Sequence, residues 1–153
     1  MSAELHYRDA HVWTASFGQT MVTNWFGTPN AASARAQMTA LAAHVQQMRP
    51  GVQMLTVTDA GVPLADEPTR AAITGTLEAI ESRIEKQAMS IEGEGFGASA
   101  LRAMVAGMTL VVRAQYPIRI FADVPQATAW IAPQAAGALA VAVACLSREL
   151  ARR

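Results

Sequence analysis

The sequence predicts an α/β domain built on a mixed, roughly five-stranded sheet with helices mainly on one face. Short apolar or alternating runs take turns along the chain with stretches of three- and four-residue apolar spacing. Proline, glycine and capping residues separate them, and the chain opens with two closely spaced strand-like runs before its first helix.

The first two runs, ELHYR at 4–8 and HVWTASF at 11–17, read as a strand pair joined at Asp9 and Ala10. MVTNWF at 21–26 extends that sheet or makes a third short strand. Thr28 then stands where a helix cap is needed and Pro29 at the first helical position, with Met38, Leu41, Val45 and Met48 on one face. Arg49-Pro50-Gly51 stops this helix, and VQMLTV at 52–57 has the β-branched, apolar character of a buried central strand.

The loop TDAGVPLADEP leads to a second helix over 69–84, with Ile73, Leu77, Ile80 and Ile84 on one stripe. QAMSIE at 87–92 is the next strand. After three alternate glycines, Leu101, Val105, Met108 and Val112 mark a third helix. Tyr116-Pro117 closes it, and IRIFA at 118–122 alternates as a strand. Asp123 and Gln126 have capping-box spacing around Pro125, and a final helix covers 134–150.

These elements make a single domain over 4–150, long enough to bury roughly two-thirds of its extended surface. The composition, 52% apolar and 16% charged, belongs to a globular chain rather than a disordered one. Twelve basic residues balance twelve acidic ones, so no net field recruits nucleic acid or an anionic membrane. The longest apolar run, AAGALAVAVACL at 135–146, falls short of the ~20 residues that span a bilayer. The N-terminus lacks a basic region followed by an apolar core, and the single Cys145 excludes an internal disulfide. A cytoplasmic protein is expected.

Three local patterns, Trp25-Phe26-Gly27-Thr28-Pro29, Glu92-Gly93-Glu94-Gly95-Phe96-Gly97 with Leu101-Arg102, and Tyr116-Pro117 with Phe121 through Trp130, carry a resemblance. With the element order, they make the chain similar to the SpoIIAA-like, STAS-like superfamily, and to uncharacterised bacterial members of it. The resemblance implies that fold and a habit of binding proteins. In the anti-sigma-factor antagonist branch, a serine at the start of the helix after the central strand is phosphorylated. The corresponding stretch here, LTVTDAGVPLADEPTR at 55–70, contains no serine, and a phosphate beside Asp66 and Glu67 would meet like charge. The phosphoswitch is therefore not carried over.

Gly93, Gly95 and Gly97 lie between a strand and a helix, the setting of a phosphate loop. The spacing is GxGxG, however, no GK[ST] follows, and Glu92 and Glu94 oppose an anion. A glycine corner anchored by Phe96 accounts for the run with fewer assumptions. Asp59 and Asp66, with Glu67, form an acidic edge after the central strand, where open α/β sheets bind ligands, although Asp66 also suits a helix cap. His6, His11 and His44 lie on three different elements and form no metal-binding spacing, and no serine stands in a nucleophile elbow. Neither a catalytic set nor a cofactor or metal is expected.

The final helix is apolar on all sides from Ala135 to Leu146, so it is buried either within the monomer or against a partner. Ala138, Val141, Ala142 and Cys145 are the candidate interface, against the reading that alanines simply tolerate water and Cys145 is a small buried hydrophobe. Trp25 and Trp130 read as core. Trp13 is open to two readings, core or partner anchor. The reading favoured is a non-catalytic interaction or regulatory domain, homodimeric, partnered by protein and not by nucleic acid or membrane. The alternative is a small-molecule or anion-binding domain using the loops at 59–67 and 93–97.

Overall fold

The computed structural model describes residues 1–111 and 114–153. Strands β1 (Glu4–Arg8), β2 (Val12–Phe17) and β3 (Thr20–Trp25) run as an antiparallel meander. To β3 are added, all in parallel, β4 (Val52–Thr58), β5 (Ile84–Ile91) and β6 (Ile118–Phe121). The result is one six-stranded sheet whose spatial order is its sequence order. It exceeds the expected five because Thr20–Trp25 pairs along its whole length with both β2 and β4.

Helices α1 (Ala31–Val45), α2 (Glu67–Ile80) and α3 (Phe96–Val111) connect the parallel strands, and α4 (Val124–Ile131) and α5 (Ala136–Ala151) follow β6. Helices were expected mainly on one face; α1, α2 and α3 share one, and α4 and α5 cover the other, giving three layers. On one face Met21, Val52, Met54 and Ile84 pack against Met38, Leu41 and Val45 of α1 and Ile80 of α2. On the other, Trp13, Ala15, Phe17, Val22, Leu55, Val57 and Ala88 pack against Ala127 and Ile131 of α4 and Leu139, Val143 and Leu150 of α5. The cause is legible in β4, which has apolar residues of both parities, Val52 and Met54 on one and Leu55 and Val57 on the other, so neither face can be left to water; β2 beside it is buried at every position.

Several boundaries move, each for a local reason. Asn30, not Thr28, caps α1, its side chain accepting from Ser33 N at 2.9 Å. Gly27 stays outside the helix and passes His11 so closely that a Cβ there would lie 3.0 Å from the His11 Cα. Asp66 caps α2, which starts earlier than expected and stops at Ile80. A 3-10 turn at Glu81–Arg83 intervenes, and Ile84 becomes the first residue of β5, paired with Val52, instead of the last of a helix. Phe96 does not anchor the glycine corner but opens α3, 90% exposed. Val112, expected at the end of that helix, lies outside the described residues. Asp123 caps α4 as expected, accepting from Gln126 N at 2.8 Å.

Polar residues buried beneath α1 are paired. Thr14 and Thr23 face each other across β2 and β3 with hydroxyls 3.0 Å apart, and Gln37 of α1 donates to Thr23 Oγ1 at 3.0 Å. Asp9, in the β1–β2 turn, accepts from His11 N, Val12 N, Tyr7 OH and Ser33 Oγ. Burial alone would raise its pKa, but these hydrogen bonds outweigh that and hold the carboxyl below the usual range. The turn, β1 and the start of α1 are thereby tied at one point.

Candidate functional site

Helices α2 and α3 stand apart over the parallel half of the sheet, and the space between them is a cleft of about 220 Å³. Its floor is the α1-facing side of β4 and β5, with Thr56, Thr58, Gln87 and Met89. Ile73, Thr74 and Leu77 of α2 form one wall, and Leu101, Val105 and Met108 of α3 the other. Pro63, Leu64 and Ala65 from the loop after β4 close one end, beside Trp25 and Arg70. An apolar enclosure with a few convergent polar groups is the usual form of a small-molecule site, and this one runs along the sheet face toward the carboxyl ends of β4 and β5.

The polar groups have a definite chemistry. Gln87 is buried, yet its two side-chain contacts among the described residues are long: Tyr116 OH donates to Oε1 at 3.4 Å and Nε2 donates to Thr56 Oγ1 at 3.5 Å. Such distances lie beyond the 2.7–3.2 Å of good N–H···O bonds, so the amide has hydrogen-bonding capacity to spare. Tyr116 remains a donor at any physiological pH, because its burial and then the Glu81 carboxylate push its pKa up to about 12. With Oε1 on Tyr116, the amide N–H₂ of Gln87 is the edge presented toward the floor of the cleft. The half-buried Arg70 donates through Nη1 to Ala65 O at 2.5 Å, a single use, among the described residues, of a five-donor group at the cleft mouth.

The expected ligand residues do not converge here. Asp59 accepts from Asn24 Nδ2 at 2.9 Å, and Asn24 Oδ1 accepts from Ser147 Oγ at 3.1 Å, which places the group against α5 on the opposite side of the sheet. Glu92 joins that side, accepting from Ser90 Oγ at 2.9 Å and from Val124 N at 3.0 Å. Asp66 is exposed and caps α2, accepting from Thr69 N and from Thr69 Oγ1, and these bonds lower its pKa.

The glycine corner is a third place. Gly93 has φ +117° and runs against Ala60, Gly95 has φ +91°, and Gly97 is already within α3. Arg102 of α3 donates to the carbonyls of Ile91 and Gly93, at 2.8 and 3.2 Å, so a cation closes on the corner's oxygens. Of the expected loops, only the 63–65 segment with Arg70 reaches the cleft. Gln87 was missed because a glutamine in an apolar strand carries no spacing signal.

The candidate interface divides. Trp13, entertained as a partner anchor, is 1% exposed in the core beneath α5 and cannot reach a partner. Ala138, Val141 and Cys145 are exposed and Ala142 half-buried, lining an open groove with Phe17, Met1 and Ala3. Cys145 is thus not a buried hydrophobe, and α5 buries one stripe of Leu139, Val143 and Leu150 rather than its whole circumference.

The histidine that could approach His6 across the opening hairpin is His11, but it is His44 that meets it, the two rings lying with centroids 3.9 Å apart. His6 Nε2 is 2.8 Å from Ser16 Oγ. Burial, and next the His44 ring, lower the His6 pKa, with Glu4 acting in the opposite sense. His11 lies elsewhere, against Gly27.

No helix among the described residues is long and apolar enough to cross a membrane. No family model, curated protein or solved structure matches the chain.

Proposed function

We propose that the chain is a non-catalytic binding domain whose α2–α3 cleft takes a small, largely apolar molecule with a hydrogen-bond acceptor at one end. The observation that carries this is the enclosed cleft, with the under-used Gln87 amide on its floor and Arg70 at its mouth. An apolar cavity of about 150 Å³ can hold benzene, so 220 Å³ suits a body somewhat larger, such as an indole or a medium-chain acid. Arg70 favours an anionic end and Gln87 a neutral acceptor.

The test is calorimetry and thermal denaturation with three probes: indole, octanoate and octanol. At least one should raise Tm saturably, as a ligand that binds only the folded state does. Met89→Trp from the floor or Thr74→Phe from the α2 wall, whichever remains folded, should abolish the rise. Equal shifts in parent and filled variants, or none in the parent, would sink the reading.

A second reading, regulatory self-association, is supported by α5. Val141 is 63% exposed, between Ala138 and Cys145 on a groove shallow enough for a second copy's helix. Val141→Glu should leave the fold intact, since the side chain is already in water, and should convert a dimer to a monomer on light scattering. A parent that is monomeric at every concentration would remove this reading and leave the cleft unaffected. The element order, a strand meander followed by alternating helices and strands, supports a SpoIIAA-like topology. The lone reduced cysteine suits a cytoplasmic setting.

A further inference from the structure

We infer that Glu4, His6 and His44 form a binding site for a divalent transition metal of the zinc class, bridging the edge strand β1 to α1. One ligand atom from each of the three lies within 4.8 Å of the other two. Ligands of a zinc tetrahedron, at metal distances of about 2.0–2.2 Å, sit about 3.3 Å apart, so side-chain rotations on the order of 1 Å close the set. Two imidazoles and one carboxylate are a donor set that late first-row divalent ions favour over calcium or magnesium. Three protein ligands leave a fourth position for water or another donor.

The backbone explains how residues spread over two elements meet. The β1–β2 pairing proceeds from Glu4↔Ser16 and Leu5↔Ala15 directly to Tyr7↔Thr14, leaving His6 as the extra residue of an irregularity. Glu4, paired with Ser16, shares its face, and His6 two residues on returns to that face by ordinary alternation, while the irregularity brings Tyr7 onto it as well. Here His6 lands on the same side as Ser16 and the His44 ring, which the last turn of α1 brings down onto β1. The Ser16 hydroxyl can hold one His6 ring nitrogen in its N–H form, leaving the other as a lone-pair donor, the part an outer-shell partner plays in metal sites. All three ligand side chains are half-buried or exposed, so an ion has a path from solvent.

The site is independent of the α2–α3 cleft, and its test uses the untagged full chain with zinc chloride and cobalt chloride alone. Calorimetry should give one zinc ion per chain, and bound cobalt should develop the visible bands of low coordination number. His6→Gln and His44→Gln should each lower zinc affinity by at least about 100-fold, beyond the 10–100-fold typical of losing an outer-shell partner. Their far-ultraviolet circular dichroism should be unchanged, and Glu4→Gln should act in the same direction. Zinc should raise Tm and slow amide exchange along β1 in the parent but not in these variants. His11→Gln serves as the control that retains full affinity. Zinc affinity that survives both His6→Gln and His44→Gln, or falls equally in His11→Gln, would overturn the assignment, as would no saturable binding at millimolar zinc.

Discussion

Helices α1 and α3 are of nearly equal length and cover the same face of the sheet, yet they are held very differently. Six residues of α1 are buried, Ser33, Ala34, Gln37, Met38, Leu41 and Val45, whereas among the described residues of α3 only Val105 is. The difference lies in what each meets. Helix α1 lies over β2 and β3, with its polar positions matched to Thr23 and Asp9 and its apolar ones to Met21 and Met54. Helix α3 lies beside β6, an edge strand of four residues, and spends its inner side on the cleft wall instead of a closed core. A helix can therefore be fully formed and still contribute little to the fixed core, and binding sites draw on such elements.

The comparison breaks first in the core. Leu41→Ala should cost about 2–5 kcal/mol in urea unfolding, the range for a large buried aliphatic residue, while Val105→Ala should cost less than about 1.5 kcal/mol because the cleft already adjoins it. Equal losses would mean that the two helices are held alike. Next comes the α1 clamp. Asp9→Ala removes an acceptor from two backbone N–H groups and two hydroxyls and should cost about 2–3 kcal/mol.

The same carboxylate sets an acid limb. Its folded-state pKa lies below the unfolded value of 3.8, so its contribution is fully present above that pH and is lost as pH falls through the lower folded value. Stability measured between pH 5 and pH 2 should decline in the parent, and part of that decline should vanish in Asp9→Asn. An unchanged slope would show that Asp9 is not its source.

Asp66→Ala, which uncaps the α2 wall of the cleft, should lower the urea midpoint by less than Asp9→Ala does in the same assay. The smallest effect is expected on the outside of α3, where Leu110 is 87% exposed: Leu110→Glu should shift stability by less than about 0.5 kcal/mol. A loss well above that would mean the face is covered in solution.

These contrasts mark how far the sequence could be read. Element types and order were legible because periodicity changes cleanly at Pro50, at the glycines of 93–97 and at Pro117. The assignment of helices to faces was not, since apolar residues of both parities in β4 require cover on both sides without saying which helix supplies it. The all-apolar run of α5 likewise hid its orientation, because alanine at 138 and 142 is equally compatible with water and with packing. The cleft was legible only at the 63–65 loop and Arg70. Its floor depends on Gln87 lying near Thr56, and the histidine pair depends on the last turn of α1 bringing His44 over β1, neither of which leaves a mark in residue spacing.

The break in the β1 ladder at His6 has a consequence for the solubility of the fold. A sheet with two open edges can recruit the strand of another molecule, and regular, flat edges do so most readily. At one edge β1 is five residues long and its ladder is interrupted at its centre. At the other, β6 offers only four residues, with Arg119 exposed among them. An incoming strand would lose register within a few residues at either side. The irregularity at the centre of β1 thus keeps the sheet from growing at that edge.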